Sequence, residues 1–146
     1  MLYRRTQTAP AMYVITVVGA LCFVMWAIAD DGAGLGVWFA VLGLLLIAVG
    51  LVAARLTVVV DDTSVTSAYG WGWPRRRIDL HEIDEVAAVR NSWWHGWGIH
   101  KVSGGWIFNN AGRDAVELRL RSGKVFRMGT DQPAELLAAL DRAHTA

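Results

Sequence analysis

Residues 6–29, TQTAPAMYVITVVGALCFVMWAIA, contain no Asp, Glu, Lys or Arg, and neither do residues 32–54, GAGLGVWFAVLGLLLIAVGLVAA. Each run exceeds the roughly 20 residues that carry a helix across about 30 Å of hydrocarbon, so two transmembrane helices are predicted, over about residues 10–29 and 34–54. Only Asp30, Asp31, Gly32, Ala33 and Gly34 separate them. So short a link makes residues 1–54 an antiparallel hairpin whose two ends leave on one side. Arg4 and Arg5 precede the first run; Arg55, Arg75, Arg76 and Arg77 follow the second, and the link holds no cation. The excess of cations on cytoplasmic flanks predicts a two-pass protein of the cell membrane with both termini in the cytoplasm.

A cleaved signal sequence competes with this reading, because Arg4 and Arg5 precede the apolar run and Ala27, Ile28 and Ala29 resemble a cleavage site. The run is longer than the usual 7–15 apolar residues of such a signal, and Trp26 suits an interfacial anchor. Neither span carries a charged residue, which argues against an ion path or proton relay at membrane depth. Gly36, Gly43 and Gly50 recur every seven residues along one face. That face either admits another backbone, giving a homo-oligomer, or reflects the ordinary glycine content of membrane helices.

Beyond residue 54 the composition changes. Residues 55–146 hold 12 of the 14 Lys and Arg and 11 of the 13 Asp and Glu, a net charge of only +1. This second region is read as a separate cytoplasmic domain without the basic field of a nucleic-acid binder. The single Cys22 excludes an internal disulfide framework and any multi-cysteine metal site.

Within the domain, residues 56–60 are β-branched and close on Asp61, Asp62 and Thr63; residues 64–71 then alternate, predicting a hairpin. Gly70, Gly72 and Pro74 break the pattern. Residues 75–80 set Ile78 and Leu80 against Arg77 and Asp79 as a third strand, and residues 86–90 make a fourth. Residues 91–105, with glycines at 96, 98, 104 and 105, predict a long loop or a short distorted strand. Residues 106–109 follow as a strand. Val116, Leu118 and Leu120 alternate with Glu117, Arg119 and Arg121, Ser122 and Gly123 turn, and Phe126 and Met128 return inward. Pro133, with Asp131 and Gln132 as capping candidates, opens a helix carrying Leu136, Leu137 and Leu140 on one stripe. Six or seven strands and one closing helix predict an antiparallel barrel or bent sandwich.

Strands first and a capping helix last is the order of the pleckstrin-homology (PH) superfold. Trp106, Asn109, Gly112, Arg113, Asp114, Ala115, Val116, Glu117, Leu118, Ser122, Gly123, Arg127, Gly129, Thr130, Asp131, Pro133 and Leu136 resemble the C-terminal half of small bacterial membrane proteins that carry a PH-like domain behind a transmembrane hairpin. The resemblance implies a membrane-anchored α+β chain, residues 55–146 being the PH-like domain, and brings no established enzymatic activity to transfer; no enzymatic role and no cofactor are expected.

Six of the eight tryptophans fall between residues 71 and 106. Trp71 and Trp73, beside Arg75, Arg76 and Arg77, combine an interfacial wedge with cations, the pairing that contacts anionic headgroups at an inner leaflet. The alternative is that indoles fill the small core and the arginines form a solvated edge. Trp93, Trp94 and Trp97 supply a second candidate surface, through which, or through a free strand edge, the domain would act as a scaffold for another membrane or peripheral protein. His95 and His100 lack metal-ligand spacing, and Asp79, Glu82, Asp84 and Glu85 read as solvating a turn; no catalytic or metal residue is expected.

Overall fold

The computed structural model describes residues 1–29, 34–92, 98–110 and 112–145. By internal contacts the chain divides into Ala9–Ala54 and a second unit made of Met1–Thr8 with Arg55–Ala146.

The first unit holds α1 (Pro10–Ile28) and α2 (Leu35–Ala53). Both are long and apolar enough to cross a membrane, and few of their residues are buried. Val17, Leu21, Leu44 and Leu45 point outward, whereas the contact between the helices is built on glycine. A Cβ on Gly43 would meet the Gly19 carbonyl oxygen at 2.7 Å, and one on Gly50 would meet Thr16 Oγ1. Gly36, Gly43 and Gly50 are all buried. Gly43 and Gly50, two of the three residues read as a possible oligomer face, therefore pack on the chain's own first helix, since close helix approach requires small residues wherever it occurs.

The second unit contains two sheets and a helix. The first sheet is a meander, β1 (Tyr3–Thr8), β2 (Arg55–Val60), β3 (Ser64–Tyr69) and β4 (Arg75–Asp79), paired antiparallel in that order. Period-two alternation buries Leu56, Val58, Val60, Val65, Tyr69 and Ile78 on one face. The other face is polar, with the Thr6 and Thr57 hydroxyls 2.9 Å apart. β1 had no place in the sequence expectation. Arg4 and Arg5, read there only as topological charges, are strand residues facing Val59 and Val58.

A 3-10 turn, Leu80–Glu82, leads to the second sheet: β5 (Ile83–Arg90), β6 (Gly98–Val102), β7 (Gly105–Asn109), β8 (Asp114–Leu120) and β9 (Val125–Gly129), ordered β5-β8-β9-β7-β6. β6 lies in the stretch read as a long loop or short distorted strand and forms a hairpin with β7, the strand expected over residues 106–109, and β7 pairs parallel with β9. Of the expected antiparallel barrel or bent sandwich, the barrel and the wholly antiparallel pairing are corrected: the described residues form two sheets, one of them mixed, and no closed barrel. Val116, Leu118, Phe126 and Met128 line the buried face, under α3 (Pro133–Thr145), which inserts Leu136, Ala139, Leu140 and Ala143. Leu137, expected on that stripe, is only half-buried because the stripe turns toward Ala139 and Ala143. Fully burying each large aliphatic contributes about 1.5–3 kcal/mol.

β1 also ties the parts of this unit together. Gln7, buried, donates from Nε2 to the Gly129 carbonyl at 2.8 Å. Arg5 grips Asp131 with Nε at 3.2 Å and Nη2 at 2.6 Å, just before α3.

Candidate functional site

Gly70, Trp71, Gly72, Trp73 and Pro74 connect β3 to β4. Gly70 and Gly72 take positive φ, 51° and 110°, which lets the chain reverse within so few residues. Two backbone bonds close the turn, Gly72 N–H to Tyr69 C=O at 2.8 Å and Tyr69 N–H to Pro74 C=O at 2.9 Å. The tryptophans find no place in the core: Trp71 is 85 % and Trp73 77 % exposed. Gly70 N–H donates to the Arg55 carbonyl at 2.9 Å. The turn thus sits at the end of the first sheet where Thr8 and Arg55 pair, the residues that flank the apolar segment in the chain.

The three arginines do not act as one patch. Strand alternation puts Arg75 and Arg77 on the polar face, and Arg76 on the same face as buried Ile78, opposite Ser67. Arg77 reaches Asp79 at 3.6 Å, an exposed pair of little energetic weight. No described carboxylate pairs with Arg75 or Arg76. β4 is an edge strand, and a run of exposed arginines there discourages addition of a further strand. Trp93, Trp94 and Trp97, like His95, lie outside the described residues.

The most organised electrostatic feature was not singled out in the sequence as a site. Glu117, 8 % exposed at its side chain, accepts from Arg127 Nε at 2.6 Å and Arg119 Nε at 3.2 Å; Arg119 also reaches Glu85 at 3.1 Å. Burial pushes the Glu117 carboxyl up, but the hydrogen bonds and charges of Arg127 and Arg119 outweigh it and hold the group below its ordinary value. With the folded value depressed, the pairing stabilises the fold above the ordinary carboxylate range and is lost as pH falls through the folded value. Below about pH 4, unfolding in detergent is expected to become easier more steeply for the natural protein than for Glu117→Gln. Denaturant midpoints across an acid series measure this, and parallel acid limbs would refute it. The network is structural: it joins β8, β9 and β5 across the outer face of their sheet.

Asp79, His81 and Glu82 place possible ligand atoms within 4.8 Å of one another at the surface. Nothing at that turn distinguishes them from the solvated carboxylates expected there. No protein-family model matches the chain, and no curated protein is similar to it.

Proposed function

We propose that this chain is a non-catalytic, membrane-anchored PH-like module, held at the cytoplasmic face of the cell membrane by its two-pass hairpin and contacting anionic headgroups through Trp71, Trp73 and Arg75. The reading of the fold is supported by the element order: a four-strand meander, an antiparallel β5-β8-β9 set, then α3, with the apolar helices placed between β1 and β2 and the β6–β7 hairpin between β5 and β8.

One observation carries the function. The two most exposed indoles described outside the apolar helices project from a turn hydrogen-bonded to Arg55. Arg55 follows Ala54, at which the apolar unit ends. Indole partitions to the headgroup layer, and a tether there raises the effective concentration of weak contacts. Arg75 lies nearest the turn and without a carboxylate partner among the described residues; near an anionic leaflet a cation of this kind contributes on the order of 1 kcal/mol. A scaffold role through residues 93–97 or a strand edge is the competing proposal, and the arginines of β4 count against strand addition at that edge.

The full chain in bilayer discs, with a quencher on the lipid headgroup, tests the proposal. The emission of Trp71 and Trp73, taken as the difference between the natural protein and its Trp71→Phe with Trp73→Phe variant so that the indoles of the apolar helices cancel, is expected to be quenched, and Arg75→Ala to weaken that quenching about fivefold in anionic but not zwitterionic discs. A difference emission that the quencher leaves intact would defeat the proposal.

A further inference from the structure

A cleft of about 440 Å3 opens between Arg76, on the free edge of β4, and the inner face of the second sheet. Its floor is aromatic. β7 and β9 run parallel with Trp106 beside Phe126, and Phe108 lies two residues further along β7. The Phe108 ring centre is 5.2 Å from that of Phe126 and 5.4 Å from that of Tyr69 in the first sheet. The sheets therefore close at Phe108 and part at Trp106, which is 53 % exposed.

The rim is cationic. Arg76, Lys101 and Lys124 line the cleft, and no Asp or Glu does. Lys101 stands directly opposite Trp106 in the β6–β7 register, and Lys124 immediately precedes β9. None of the three forms a salt bridge with a described residue. Three like charges drawn from distant parts of the chain to the edge of an apolar floor repel one another until an anion joins them. The floor asks for an apolar body on the same molecule, and the volume is that of a small-ligand site.

We propose that this cleft binds a single-chain amphiphile bearing a phosphate monoester, with the phosphate among Arg76, Lys101 and Lys124 and the alkyl chain laid over Trp106, Phe108 and Phe126. A phosphate monoester carries close to two negative charges at neutral pH, a better match to three cations than a carboxylate. The two apolar helices put the chain in the phase where such amphiphiles dissolve. The site is separate from the Trp71–Trp73 turn and does not rest on contact of that turn with the leaflet.

Native mass spectrometry of the full chain released from neutral detergent, titrated with lysophosphatidate, tests it. One adduct per chain is expected, weakened about tenfold or more by Lys101→Ala or Lys124→Ala and by Arg76→Ala, restored by Lys101→Arg, and unaffected by Trp71→Phe with Trp73→Phe. Lysophosphatidylcholine and inorganic phosphate are expected to bind far more weakly, the first lacking the net charge and the second the chain. Equal affinity for either of them, or undiminished binding by the triple alanine variant, overturns the proposal. Loss of binding in the Trp71/Trp73 variant alone would also overturn it.

Discussion

A protein carrying Thr6→Pro together with Gln7→Pro is expected to lose at least about 4 kcal/mol of stability in its β-sheet unit while its two apolar segments keep their helical structure. Along an antiparallel strand, alternate residues direct their N–H groups to the neighbouring strand, so two adjacent prolines remove a ladder bond to β2 whatever the phase. The substitution also removes the Gln7 side chain, and with it the 2.8 Å bond from Nε2 to the Gly129 carbonyl, a buried acceptor at the end of β9. Arg4 and Arg5 stay in place, so topology is not the variable. Urea unfolding in detergent, followed by near-ultraviolet dichroism of the tryptophans, reads the loss. An unchanged midpoint would mean that β1 is an ornament on the sheet.

Gly105→Val should be nearly as damaging. A Cβ at residue 105 would fall on the Val125 carbonyl, within the parallel β7–β9 register that sets Gly105 beside Val125. The obstacle is backbone, which cannot rotate away as a side chain can, so β7 must separate from β9 and surrender its ladder bonds. A cost of at least about 3 kcal/mol is expected, together with loss of the aromatic floor that Trp106 and Phe126 make. Gly104→Ala is the useful contrast. Its φ of 83° disfavours alanine, but the nearest obstruction is the Val125 Cγ2 at 3.4 Å, so a cost of about 1 kcal/mol is expected. Thermal unfolding of the two variants ranks them, and the reverse order would contradict the register.

The hairpin at Ser122–Gly123, the strands on either side of Asp61 and Asp62, and the helix from Pro133 were legible because each depends on residues close in sequence: alternation, turn chemistry, a proline in the first helical turn. β1 was not legible. Tyr3–Thr8 offers no apolar alternation, only Tyr3, Arg5 and Gln7 inward, and becomes a strand because β2 presents Leu56, Val58 and Val60 to it from the far side of two helices. The parallel pairing of β7 with β9 was invisible for the same reason: no local signal names a partner some twenty residues away. The run Arg75, Arg76, Arg77 illustrates the limit at side-chain scale. Its charge is plain in the sequence, but which residue faces which side follows from the phase of β4 against β3.

Composition alone therefore determined two helices long and apolar enough to cross a membrane, a charged β-rich region after them, and an amphipathic helix at the end, since hydrophobic transfer and local propensity act on contiguous residues. Tertiary structure decided that residues 3–8 complete the first sheet, that Trp71 and Trp73 stand outside the core on a turn whose Gly70 bonds Arg55, and that Arg76, Lys101 and Lys124 meet around one aromatic cleft. Each of those outcomes depends on which strands lie side by side, a choice made by non-local pairing.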